Sequence, residues 1–352
     1  MNRRKFISDT GKYSFGGLFF PSFPFIKLNQ IKISVKQLTQ GPDHHFFGYI
    51  GQSLTIPWSK KGDSILCLSA PFHDHLAGNG EPANVNIIYT KKKIDNSFKI
   101  EKVDESQGWN HQQGTMFYWN PDSPQDQFFF NDRDSKSGVV YTVLYDLSKG
   151  RRIKSYKFGN KSFGNSGVCP KGKYFLAINY ARMARLRPVT GYRDSYDWSE
   201  GIAAPKEDGI AIIDIKTGNK KILLSFKQMA EGLDRKGLDA KGRNLFINHT
   251  LWSRDGKWIY FFVRAGWKSD KDGREGLNAA CSVKVDGTQF FAGHRHIGGH
   301  PEWGNGTEII GSYGNKQIVY DVITRKIKRT IGSKEIFPQP GGDISLSPNS
   351  NW

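Results

Sequence analysis

Two kinds of side chain in this sequence are placed to do chemistry: its histidines and a few of its arginines. The nine histidines stand at positions 44, 45, 73, 75, 111, 249, 294, 296 and 300, and the run from His294 through His296 to His300 is the densest. A neutral imidazole ligates transition metals, with open positions taken by carboxylates, amides or water. Near neutral pH it also serves as a general base. A loop histidine taken singly is more often just a hydrogen-bonded loop residue, and His73-Asp74-His75 reads as such an exposed loop. His249 and His300 differ because the repeat described next aims both at one place. Arg187 or Arg264 is expected to clamp a carboxylate, which a guanidinium fork fits in a bidentate way. His249 is the first candidate for a base and Tyr192 the second. Trp109 offers a flat face to a sugar ring, His45 and Gln113 offer polar contacts, and Arg133 is divided evenly between binding a carboxylate and pairing between sheets.

These residues sit on a recurring unit, an apolar strand, a Ser-x-Asp-Gly-like turn and a second apolar strand. It occupies 54–69, 116–133, 166–180, 249–264 and 300–313, with a last copy at 343–352. Trp58, Trp252 and Leu346 share one register position; Gly62, Gly172 and Gly256 share another, where a tight hairpin needs a positive φ. A third strand ending in Asp follows at 139–150, 209–218, 282–287 and 317–326. Strand repeats of roughly 40 residues are the mark of propeller blades, whose two apolar faces are buried by their neighbours. The expected fold is an all-β propeller over 31–352, with a short helix near 226–237. The last copy stops after its first strand. Either the segment at about 31–50 completes it by circular closure, or the chain is a shortened copy of a longer protein.

In a propeller the first strand of each blade lines the central channel. Counting back three residues from the shared Trp position gives Thr55, Met116, Asn165, His249, His300 and Asp343 as equivalent sites at one mouth. Cys67, Cys169 and Cys281 are widely spaced and form no CxxC, so neither a disulfide framework nor a cysteine zinc site is expected.

The chain opens Asn2-Arg3-Arg4-Lys5-Phe6-Ile7, followed by a broken apolar stretch to Ile26. This order resembles a twin-arginine export signal over residues 1–30 and implies a periplasmic or secreted protein. The stretch is too short and interrupted for a stable membrane span. The net charge of +18 suits an acidic partner. The basic residues are scattered and no helix-turn-helix, RNP or zinc-finger pattern occurs, which argues against nucleic acid.

Asn248-His249-Thr250-Leu251-Trp252-Ser253-Arg254-Asp255-Gly256, with Gly299-His300-Pro301-Glu302-Trp303 further on, resembles oligogalacturonate lyases and related TolB-like (WD40-like) propellers. Gly41–Tyr49 and the run Gln112-Gln113-Gly114 look like a group of exported bacterial propellers. The resemblance implies a seven-bladed fold, its last blade incomplete here, and a divalent metal at the channel mouth, Mn2+ first and Ca2+ or Zn2+ as alternatives. His249, His300, His296 and Gln113 would be its ligands. It implies a polysaccharide lyase that cleaves acidic, uronate-containing oligosaccharides by metal-assisted β-elimination. The alternative reading is a non-catalytic envelope propeller that binds glycan or protein.

Overall fold

Alternating apolar residues on short strands between tight turns can only be buried if a sheet is covered on both faces. That is the arrangement found. The computed structural model describes residues 35–48, 55–94, 97–267, 273–333, 335, 338, 341–342 and 344–346. The chain divides into residues 1–37 and 38–352, and the export segment expected over 1–30 lies outside the described residues. The described residues of the second unit form five four-stranded antiparallel meanders. Blade 1 is β1 (His44–Phe46), β2 (Ser64–Ala70), β3 (Ala83–Ile94) and β4 (Ser97–Ser106). Blade 2 is β5 (Tyr118–Trp119), β6 (Gln127–Arg133), β7 (Val140–Asp146) and β8 (Arg151–Tyr156). Blade 3 is β9 (Gly164–Val168), β10 (Tyr174–Ile178), β11 (Gly209–Asp214) and β12 (Lys220–Ser225). Blade 4 is β13 (Phe246–Trp252), β14 (Trp258–Ala265), β15 (Leu277–Lys284) and β16 (Phe291–His294). Blade 5 is β17 (Gly298–Trp303), β18 (Glu308–Tyr313), β19 (Lys316–Asp321) and β20 (Lys326–Ile331).

Successive blades stack face to face, and the two-residue period of a strand decides which side chain goes to which neighbour. On β6, Phe128 and Phe130 pack with Leu66 and Leu68 of blade 1, while Phe129 between them packs with Phe175 of blade 3. On β14, Ile259 and Phe261 face Leu176 and Ile210 of blade 3, while Tyr260 and Phe262 face Ile309 and Ile318 of blade 5. The fold is a β-propeller, as the repeat predicted.

The repeat's conserved-looking register has a physical cause. The indole of Trp119 donates to the Pro57 carbonyl at 3.1 Å, Trp252 to Gly167 at 2.8 Å and Trp303 to Leu251 at 2.8 Å. Each of these tryptophans thus fastens its blade to a backbone carbonyl of the blade before it. In the Ser-x-Asp-Gly turn, Ser253 Oγ donates to Asp255 and accepts from the Trp258 N–H at 2.8 Å, with Gly256 at a φ of 71°. The aspartates that end third strands close the next turn: Asp214 accepts from the Thr217 N–H and Asp321 from the Thr324 N–H, both at 2.7 Å.

One expectation is corrected. The first blade's inner strand is β1, at residues 44–46, rather than the run at 54–58. Pro57 cannot donate to a ladder, and Trp58 makes only a single bridge to Ile65. The described residues form five blades. Of the sixth copy only residues 344–346 are described, and they run beside β17, with the His300 N–H donating to the Gly342 carbonyl and the Ile344 N–H to that of His300.

Two helices are inserted in the described part. The expected one is α2 (Phe226–Asp234), started by a capping box between Ser225 and Gln228. The other, α1 (Tyr180–Leu186), lies where sequence reasoning saw the start of a loop. Asn179 caps it, and the buried Arg182 guanidinium donates to the Leu245, Ile202 and Ala203 carbonyls, which pins the helix to the start of blade 4.

Candidate functional site at the channel mouth

The inner strands are not regular where they meet the channel. The pairing shifts register at Leu176/Ala177 in blade 3, at Asn248/Leu251 in blade 4 and at Gly298/Glu302 in blade 5. At the equivalent position in two blades, Met116 and His249 hold left-handed φ values of 54° and 59°. Such a conformation costs on the order of 1 kcal/mol in a non-glycine residue, and bulges of this kind re-aim side chains. Here they point into a small cavity on the channel axis. Thr55 lines it from the first blade's segment, Gln113, Met116 and Tyr118 from the second's, Ser166 from the third and Asn248 and His249 from the fourth. Tyr180 and Met183 of α1 close it above.

His249 and His300 lie together, with ring centroids 5.2 Å apart and ring planes at 61°. Phe262 stands beside both His249 and His296, its centroid 6.2 Å from each. The Arg264 guanidinium lies over Phe262 at 5.4 Å and over Trp267 at 5.1 Å. Arg187, at the end of α1, covers the same Trp267 ring at 4.7 Å. Arg264 Nε donates to Asn278 at 2.9 Å, and neither guanidinium has a carboxylate partner among the described residues. Two half-buried cations thus share one indole beside a pair of imidazoles.

The electrostatics follow from that crowding. His249 keeps some surface open to the channel, yet it is enclosed densely enough that burial is the largest cause holding its pKa well below the usual histidine value. Arg264, His300 and Arg187 push it in the same direction. Its imidazole is neutral at physiological pH, the form that accepts a proton. Burial, and then Arg187, push Arg264 down to about 10, and burial lowers Arg187 as well. Two cations held close together out of water are a site prepared for an anion.

Among the described residues the donor set is short for a divalent metal. No group of three or more His, Cys, Asp or Glu side chains converges among the described residues. His249 and His300 would supply two nitrogens, but the charged side chains that act on His249 among the described residues are the Arg264 and Arg187 guanidiniums, which repel a second cation. Gln113 Nε2 donates to Asn248 Oδ1 at 3.1 Å and is held there in a protein contact. His296 is exposed, stands beside Phe262 and feels the Arg264 charge.

Other residues singled out from sequence have different places. Trp109 is 1% exposed, with its indole donating to the Glu81 carbonyl at 2.9 Å among Phe46, Phe72 and His111, so no ring face is left for a sugar. Tyr192 is fully buried, stacked on Tyr180 at 4.5 Å and accepting from Asn131. Burial pushes its phenol up, so it cannot act as the base. Arg133 is buried and donates to the Arg193 and Gly78 carbonyls, a structural fastening. His45 is half-buried on β1, opposite Ser69, and is not among the residues lining the cavity. The dense histidine run divides: His294 is a core residue between Ser282 Oγ at 2.8 Å and Tyr320 Oη at 3.2 Å, and burial, then Arg325, push its pKa down to about 3. Asp343 lies outside the described residues. Sequence reasoning missed Trp267, whose place three residues after Arg264 was the available signal.

No family model matches the sequence, and no curated protein matches it. Among solved structures the chain is similar to the hydrazine synthase of Kuenenia stuttgartiensis, at 11% identity over 83% of this chain and 77% of that one, with a TM-score of 0.44. It is also similar to an oligogalacturonate lyase from Vibrio parahaemolyticus, at 11% identity over 89% of this chain and 87% of that one, with a TM-score of 0.39. Likenesses of this size carry no information about activity.

Proposed function

We propose that the channel mouth binds an acidic oligosaccharide through its uronate carboxylate, and that the chain is a polysaccharide lyase that needs no metal for the step. The observation that carries this reading is the pair Arg187 and Arg264, without carboxylate partners among the described residues, on one indole beside the neutral imidazole of His249. The guanidiniums neutralise the uronate carboxylate, which lowers the cost of taking the neighbouring C5 proton. His249 accepts that proton. The C5–H electron pair becomes the C4–C5 double bond, the C4–O bond breaks, and the departing oxygen takes a proton from water. Trp267, gripped by both arginines, supplies an apolar wall for a sugar ring. The basic surface attracts such polymers, and the export proposed from Arg3-Arg4-Lys5-Phe6-Ile7 would deliver the protein to where they are met.

The test is a panel of uronate polymers followed by the ultraviolet absorbance of the unsaturated product, with and without EDTA. The reading expects product on at least one polymer, unchanged by the chelator and lost in His249→Ala. Binding without product would leave an acidic-glycan-binding propeller. Activity that disappears with EDTA and returns with Mn2+ would overturn the metal-free step.

A further inference from the structure

In the cavity that His249 lines, one polar group has nothing to bind. Asn248 is 1% exposed, and its Nδ2 has no hydrogen-bond partner. Of the side-chain polar atoms lining the cavity, it is the one buried donor left unpaired among the described residues. Its neighbours satisfy one another: Thr250 Oγ1 donates to Ser166 Oγ at 2.7 Å, and Thr55 Oγ1 to Tyr118 Oη at 3.0 Å. Its Oδ1 accepts from Gln113 Nε2 at 3.1 Å, a bond that reaches from blade 2 to blade 4. With Gln113 on its oxygen, the N–H edge of this cavity-lining amide is the unpaired one.

We infer that Asn248 Nδ2 donates to an anionic oxygen of the bound ligand, and that Gln113 is the positioning residue that holds it ready. Native proteins rarely leave a buried donor unpaired, and the exceptions point to a group that arrives later. Asn248 precedes His249 on β13 and pairs across the ladder with Phe262, the ring that touches both His249 and Arg264. The adjacent His249 feels the charges of Arg264 and Arg187, so an oxygen bound beside it is favoured as a carboxylate over a hydroxyl or an ester. The inference deepens the proposed function: Asn248 reads the acid, while the arginines neutralise it.

The experiment compares trigalacturonate with its methyl ester by titration calorimetry, and follows the Asn248 side-chain amide by 15N-edited NMR. Wild type is expected to prefer the acid. Asn248→Ala should cut affinity for the acid about tenfold, the scale of one charge-assisted hydrogen bond, while leaving the ester nearly unchanged. Asn248→Asp, which places a like charge opposite the carboxylate, should lose more. Gln113→Met should lower acid affinity less than Asn248→Ala does. Equal losses for acid and ester, or a variant that only lowers Tm, would overturn the inference. If wild type binds neither sugar, the proposed function fails by itself. The inference is then decided with sodium acetate: a shift of the Asn248 amide resonances supports it, and no shift overturns it.

Discussion

The molecule has two histidine-rich regions, and they are opposites. At the channel mouth His249 and His300 meet two arginines and an indole, and no carboxylate is in reach among the described residues. On blade 1, His73 Nδ1 lies 3.0 Å from His44 Nε2, and His75 lies between Asp74 at 2.8 Å and Glu81 at 2.9 Å, all exposed to solvent. The hydrogen bonds of Glu81 and Asp74 raise the pKa of His75, whereas burial and cations depress that of His249. The same residue type is thus exposed with carboxylates that favour its protonated form in one place and an enclosed neutral imidazole in the other. Burial and the sign of the neighbouring charge set what an imidazole can do; the number of imidazoles does not.

The largest test of this contrast is activity. His249→Ala should lower kcat on a uronate polymer by on the order of 10² or more, the usual worth of a general base. His73→Ala and His75→Ala should stay within about twofold, since exposed loop groups away from the chemistry contribute little. Equal losses in both regions would erase the distinction.

Next comes the clamp. Arg264→Lys keeps the charge but loses the fork and the stacking, and should raise KM about tenfold with a smaller change in kcat. Full activity in that variant would mean that charge alone is read.

The pH profile sharpens the electrostatic side. Because cations disfavour the imidazolium, the acid limb of kcat/KM should fall below the ordinary histidine range near 6.5. Arg264→Gln removes one of those cations, so the residual activity should show its acid limb moved to higher pH. A limb that stays in place would show that burial alone sets the His249 pKa.

The smallest effect is on stability. His294 titrates at about 3 when folded and nearer the ordinary value when unfolded, so the unfolded chain takes up the proton first. Stability is therefore lost as pH falls from about 6.5 toward 3, by at most about 1.4 kcal/mol per pH unit for one such group. Urea melts at pH 7 and pH 5 should show a shallower loss in His294→Asn than in wild type. His75 carries the opposite sign: its contribution is present at low pH and fades as pH rises through its elevated pKa.

Much of the architecture could be read along the chain. Phe128-Phe129-Phe130 alternates between two inter-blade cores, and the turn at Ser253–Gly256 closes with its own side chains, so both are local events. The shared place of His249 and His300 was also legible, because a repeat carries equivalent positions to one opening. Other site residues were not. Trp109, Arg133 and Tyr192 looked costly for a scaffold, yet their polar atoms bind carbonyls and amides that lie 28 or more residues away in sequence. Asn248 drew no notice as a ligand group because its unpaired N–H depends on Gln113, 135 positions earlier, taking its oxygen.

What the sequence determined by itself is what short-range physics controls: strand period, turn glycines, the tryptophan register, and so the stacking of like blades. What only the tertiary structure decided is protonation and access. Charge, burial and hydrogen-bond satisfaction are sums over neighbours drawn from several blades, and no window of the chain contains all the terms. The same residues with Asp74 and Glu81 carried to the mouth would favour a cation there, whereas Arg187 and Arg264 favour an anion.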